Sequence, residues 1–331
     1  MNRIIDRYAV VFVAVAATLW ATDAYFRNQL VSHLSASQIV VAEDALVTLF
    51  LLPVLIRSRG ELRLLGARGW TAVAIIAAGA QALATLLFTA SFSIAAQHQL
   101  FAETFVLQQT QPLIAIVLAW IVLGERRRPW FWPAVAVAIV AVYMVLFASD
   151  PLQPVSALRN GRLEVGLLAL GAAALWASGT VLGRFALITI NFWAMTALRF
   201  TLALPVLVAV VLVQDGFAGF GHYSFTDFVP NLLAIAIVPG LLALLLYYRA
   251  LSKTPASLAT IAEMAYPVAA TLIASAPPPW GFNQPIYPAQ VLGTALLLGV
   301  IVFLNWTKEG PTPVVVRPAT PADRRSPVPE S

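Results

Sequence analysis

Glu103, Thr104, Gln108, Gln109, Thr110 and Gln111 crowd the first half of FAETFVLQQTQPLIAIVLAW, residues 101–120, and Pro112 follows them. The second half is as apolar as a membrane span, so these groups need a partner other than lipid. Carboxylate, amide and hydroxyl groups at this density can bind a polar solute, pass a proton or tie helices together. At ~100° per residue from Glu103, Thr110 falls at about −20°, Gln111 at about 80°, Thr104 at about 100° and Gln108 at about 140°. All but Gln109 therefore share one broad face, which on a lipid-immersed helix has to meet protein or water. Pro112 removes one backbone hydrogen bond and frees a carbonyl about one turn earlier, near Gln108. The stretch reads as one wall of a polar cavity, with interhelical hydrogen bonding of single side chains as the plainer alternative.

Other ionisable residues interrupt apolar runs: Asp23, Glu43, Asp44, Arg199 and Glu263, with Arg184 and Arg249 nearer run ends, where snorkelling to the interface accounts for them. Glu103, Gln108, Gln111, Thr104, Glu43, Asp23, Arg199 and Glu263 are the candidates for substrate binding or coupling; structural ion pairing is the alternative for the charged ones. For Asp44 a lipid-edge position and a cavity position stand even. Glu103 or Glu263 is suited to exchange protons as a cavity opens to each side in turn. Arg199 is suited to hold a substrate carboxylate or phosphate, or to lock to Glu263. Trp20, Trp176 and Tyr266, with Tyr247 and Tyr248, can supply aromatic walls, and interface anchoring is their alternative. The chain has no cysteine, and no metal or cofactor motif is present, so none is expected.

The elements that must position these groups are membrane helices. The chain of 331 residues is 60% hydrophobic and 11% charged, with mean hydropathy +0.84; soluble domains carry roughly 25% charge. Apolar runs of ~20 residues recur throughout, at about 8–27, 36–56, 70–93, 99–122, 131–148, 163–187, 192–213, 228–251, 256–276 and 286–306. A sequence pI near 9.8 would suit nucleic acid, but Lys and Arg sit in short clusters between spans, as in RSRGELRLLGAR (57–68) and ERRRP (125–129), so no nucleic-acid partner is expected. With the N-terminus inside, fourteen Lys and Arg fall on the inner side; only Arg27, Arg159 and Arg162 fall on the outer side. Both termini are thus expected in the cytoplasm of a bacterial-type inner membrane, with the first span retained. The Pro-rich tail from Gly310 is expected to be disordered.

The chain also repeats itself. ATLWATDAYFRN (17–28) resembles AALWASGTVLGR (173–184), with Trp20 matching Trp176 at an offset of 156, and TQPLIAIVLA (110–119) resembles AYPVAATLIA (265–274), with Pro112 matching Pro267 at 155. Five spans per unit is an odd number, so the copies insert in opposite senses, an arrangement typical of secondary transporters. These units resemble the EamA repeats of the drug/metabolite transporter superfamily. The residues that carry the likeness are Leu19–Ala21 and Leu175–Ala177, ALRF (197–200), YYRALSKTPAS (247–257) and LGE (123–125).

The resemblance implies an all-α integral membrane fold of ten transmembrane helices in two inverted five-helix repeats. These would occupy residues 1–148 and 163–306, with an outer linker at 149–162 and the tail at 307–331. It implies a central cavity lined by helices one to four of each half, and a small-molecule substrate, with export the commoner direction. Acids toward the outside and Arg199 toward the inside suit a zwitterion such as an amino acid, and equally an organic cation such as an amine neutralised by Glu103; a monomer suffices, with a dimer left open. Two departures stand out: repeat one has Glu43 where repeat two has Arg199, and repeat two has APPPWG in place of a GE after its fourth helix. An enzyme is not expected, since His33, His98 and His222 fall in or beside outer loops and no paired-Asp or serine motif is present. A sensor that binds without transporting is the remaining alternative.

Overall fold

Backbone polar groups have no water to bind in lipid, so long apolar runs must close their hydrogen bonds within helices. The computed structural model describes residues 9–111, 113–115, 117–118, 129–149, 161–186, 190–223, 228–251, 262–263 and 265–307, and no strand occurs among them. The longer helices among the described residues are α1 (Ala9–Ala21), α2 (Ala36–Arg57), α3 (Ala67–His98), α4 (Phe101–Gln108), α5 (Phe131–Leu146), α6 (Arg162–Ala186), α7 (Phe192–Asp215), α8 (Val229–Leu251), α9 (Ala265–Ser275) and α10 (Pro288–Trp306), with shorter helical pieces at Asp23–Asn28, Arg59–Leu62 and Gly216–Gly221. Among the described residues, Ala36–Arg57, Ala67–His98, Trp193–Gly221 and Val229–Tyr247 are long and apolar enough to cross a membrane. Shorter apolar helices occupy Phe131–Val145, Ala265–Ser275 and Pro288–Phe303. Pro112, the basic cluster at 125–128, Lys253, most of the 149–162 linker and the tail from Lys308 lie outside the described residues.

Local chemistry sets the boundaries. Ser35 and Gln38 form a reciprocal capping box at the start of α2, at 3.3 and 2.9 Å. Asn191 caps α7 by accepting from Ala194 N–H at 2.9 Å, and is itself held by the Glu61 carboxylate. Gln99, with φ 56°, ends α3 in the left-handed conformation. The first expected span is broken: Thr22 turns its hydroxyl onto the Leu19 carbonyl at 2.7 Å, and a separate short helix, Asp23–Asn28, follows.

Helix packing crosses between the halves. The first helix of each half packs against the third and fourth of the other: α1 on α8 and α9, α6 on α3 and α4. Second meets second (α2 with α7), fourth meets fourth (α4 with α9) and fifth meets fifth (α5 with α10). This is the contact pattern of an internal two-fold. It extends to backbone detail, since α3 widens to a π-helix over Ile76–Leu83 and α8 does so over Ala236–Leu242. Small residues let the backbones close up. A Cβ on Gly293 of α10 would lie 2.8 Å from the Ala141 carbonyl oxygen of α5, and one on Gly179 of α6 would lie 2.3 Å from Ala80 Cβ of α3.

The expected outer end is tied across the halves as well. Gln38 donates to the Gly219 carbonyl at 3.0 Å, and Tyr223 donates to the Gln38 carbonyl at 2.7 Å. Burial, with the charge of Asp215 beside it, pushes the Tyr223 phenol up to about 12, so it remains a donor at neutral pH.

Candidate functional site

The aromatic candidates meet in one core cluster. Trp20 of α1, Phe88 of α3, Phe105 of α4, Trp176 of α6 and Tyr266 of α9 all belong to it. Alanines at 17, 21 and 24 and at 270 and 274 keep the surrounding helices slender enough for the rings to fill the space between them. Phe88 and Trp176 lie 5.5 Å apart, Phe105 meets Tyr266 edge-on at 6.4 Å, and Trp20 lies 4.9 Å from Tyr247 of α8. The Tyr247 hydroxyl in turn donates to Glu263 Oε1, so a ring of α1, a phenol of α8 and a half-buried carboxylate just before α9 are in successive contact. Both halves of the chain contribute to this aromatic chamber, which the rings themselves fill.

From α4, Phe101, Ala102 and Phe105 join this cluster, and Gln108 follows Phe105 by three residues. Gln108 is half-buried, and its Oε1 is buried without a hydrogen-bond partner. The helix breaks after it: Gln109 and Thr110 form a turn, the Thr110 hydroxyl takes the Leu107 carbonyl at 2.8 Å, and helical hydrogen bonding resumes with Ile114 N–H on the Thr110 carbonyl. Gln111 is half-buried and engaged. A break of this kind, amid side-chain amides, supplies backbone groups that a solute can use.

Glu103 and Thr104 lie a turn deeper in packing. Glu103 is 1% exposed, with one carboxylate oxygen accepting from Gln284 Nε2 at 3.0 Å and the other unpartnered. The Gln284 carbonyl oxygen accepts from Ala102 N–H at 3.0 Å, so a single side chain caps the start of α4 and holds its acid. Phe282 stacks on Phe101 at 4.1 Å beside it, under a cleft of about 330 Å³ lined by Tyr25, Gln99 and Pro279. Thr104 meets Ser91 at 3.1 Å, and Ser91 lies 3.1 Å from the Val165 carbonyl. Gln284→Leu should cost about 1–2 kcal/mol, because it strands both a backbone donor and a buried acid; thermal unfolding in detergent measures it, and an unchanged melting temperature would contradict the cap.

Asp23 and Glu43 are drawn together by a residue the charge pattern puts in an outer loop. Arg27 is 2% exposed. Its Nε and Nη2 donate to the two Asp23 oxygens at 2.7 Å each, Nη2 also reaches Glu43 Oε2 at 2.8 Å, and Nη1 donates to the Thr89 hydroxyl at 2.9 Å. Arg162, assigned to the same side by that pattern, is likewise buried, at the first turn of α6 with its guanidinium on Ser149. Arg199 sits on α7 where it meets α2, within Coulombic reach of Asp44, and follows Leu198, whose core cluster Trp176 also packs against. The side chains of Arg184, Tyr248 and Arg249 lie outside the described residues.

Sequence reasoning took Arg27 for an outer-side charge, missed Gln81 and Gln284 altogether, and left Asp44 at the lipid edge or in the cavity with equal weight. Gln81 donates to Asp44 Oδ1 at 2.9 Å, and Asp44 is fully buried. The i,i+4 spacing of Asp23 and Arg27 is a readable pairing signal, and Gln81 is a polar residue in an apolar run. Nothing local marks Gln284, which acts across 181 positions of chain.

A family model described as the EamA-like transporter family matches the chain twice, over residues 7–147 and 165–306. A protein named riboflavin transporter ImpX, from Fusobacterium nucleatum, is 27% identical over 173 residues, covering 50% of this chain and 54% of that one. An uncharacterized transporter, YwfM of Bacillus subtilis, is 26% identical over 194 residues, covering 58% and 60%. The chain thus spans between half and two thirds of the length of the curated relatives it matches. A solved crystal structure superposes with a TM-score of 0.56 at 17% identity, covering 91% of this chain and 97% of that one, a likeness of fold.

Proposed function

The chain belongs to the EamA-like transporter family, and from that premise we propose that it moves a small metabolite across a membrane by alternating access at the seam between its two halves. The observation that carries this reading is the exchange of helix partners, α1 onto α8 and α9 and α6 onto α3 and α4. Rocking one half against the other would open the aromatic chamber to each side in turn. Ten spans, both termini in the cytoplasm, residence in a bacterial inner membrane, action as a monomer and export belong to the same reading. The energy comes from a gradient, with proton coupling as the form that the buried acids favour.

The chamber suits a flat solute with hydrogen-bonding edges. Trp20, Trp176 and Tyr266 would stack on or edge its ring system, and the amides of Gln108 and Gln111 would meet its polar rim. An aromatic amine or amino acid falls within this class. So does riboflavin, the substrate in the name of one relative, which makes it the first compound to test. Purified protein in liposomes should give saturable riboflavin flux, and riboflavin at 100 times its dissociation constant should add about 2.7 kcal/mol to thermal stability. Binding without flux would replace transport with sensing. If neither occurs with riboflavin, aromatic amino acids and amines are the next probes.

A further inference from the structure

Where α2 meets α3 and α7, charge does not balance. Among the described residues, Asp23, Glu43 and Asp44 bring three carboxylates, and Arg27 and Arg199 bring two guanidinium groups. Arg27 is committed to Asp23 and Glu43 through direct ion pairs. Asp44 is the third acid. It is 0% exposed; Gln81 donates to its Oδ1 at 2.9 Å, and its Oδ2 has no hydrogen-bond partner. Thr48, one turn along the same face of α2, holds a second buried oxygen without a partner.

Polar and charged groups reach Asp44 from four elements among the described residues. Its own helix offers Glu43 and Thr48, α3 offers Gln81 from the π-helical segment, α7 offers Arg199, and the short helix before α2 offers Arg27. The third helix of the other half, α8, faces α2 with Leu232, Ile235, Ala236 and Leu241. A sodium-sized ion would need several more oxygens than Asp44 and Thr48 supply, and the two arginines would repel it. A proton needs one oxygen and no added room.

We propose that Asp44 is a proton-binding site, loaded while the α2–α7 seam is closed and emptied when that seam opens. A proton on Oδ2 removes the charge from an oxygen that nothing hydrogen-bonds, and it brings the cluster of three acids and two arginines to neutrality. The site is one-sided by sequence: Glu43 and Asp44 of repeat one correspond to Arg199 and Phe200 of repeat two, so the two-fold that relates the helices does not relate the charges. That asymmetry couples the proton to one of the two seam positions only. The coupling, though not the proton itself, rests on the transport reading.

Infrared difference spectra of the purified full chain, taken between acidic and alkaline buffer, test the site without any substrate. The wild type should show a protonated-carboxyl band that Asp44→Asn abolishes, that Asp44→Glu shifts, and that Glu103→Gln and Glu263→Gln retain. An unaltered band in Asp44→Asn and Asp44→Glu would overturn the proposal, as would its loss in Glu103→Gln or Glu263→Gln. Riboflavin flux in liposomes separates the two readings. A band assigned to Asp44 with no flux of any probe supports the proton site and removes the transport reading. A band with flux indifferent to a proton gradient overturns the coupling.

Discussion

Arg27→Met should lower the free energy of unfolding by about 3 kcal/mol, because it leaves the buried Glu43 and the half-buried Asp23 without their shared cation. Methionine keeps the bulk of the side chain, so lost volume contributes little. The four hydrogen bonds from the guanidinium to Asp23, Glu43 and Thr89 all disappear together. Adding Asp23→Asn and Glu43→Gln to the same chain should recover most of the loss, since a neutral cluster no longer strands charge. Thermal unfolding in detergent reads all three proteins. If Arg27→Met melts with the wild type, the cluster is solvated in the membrane protein and the account of it fails.

That arginine shows where sequence reading stops. A hydropathy window places Arg27 at the end of an apolar run, and loop-charge statistics assign run ends to water. The structure instead turns the chain at Thr22, and the short helix that follows presents Asp23 and Arg27 on one face against α2 and α3. Long-range packing, absent from any window, decides the matter. Conversely, the ends of α2 lie within a residue of the expected span, because the Ser35–Gln38 capping box is entirely local. The aromatic chamber was partly legible, since Trp20 and Trp176 repeat at an offset of 156. The π-helical segments were not: IAAGAQAL and AIVPGLL share a place in their halves but little composition. Gln81, which donates to Asp44, lies within the first of these segments. Glu103 reads in the sequence as an acid on a cavity wall. It meets Gln284 there because the 276–287 segment folds back onto α4, a contact that only the packed halves create.

The repeat also exposes a position where the halves have parted. Asp23 and Gly179 correspond at the offset of 156, yet α1 ends two residues before Asp23, whereas α6 runs through Gly179 without a break. Gly179 is needed because α6 lies against α3 there with no room for a Cβ: one would fall 2.3 Å from that of Ala80, itself buried in the π-helical segment. Gly179→Leu should therefore cost about 3 kcal/mol through overpacking, and it wedges the seam at which the halves would have to rock. The smaller Gly179→Ala should be destabilising alone and largely rescued by Ala80→Gly, because the second change removes the atom that the first one strikes; a double-mutant cycle measures that coupling. Gly299 has nothing within 4 Å of a built Cβ, so Gly299→Leu should stay within about 0.5 kcal/mol and serves as the control. Rescue of stability with flux still lost would mean that the α3–α6 approach is needed for movement as well as for packing. Failure of Ala80→Gly to rescue would show that the helices do not touch at this point in the membrane.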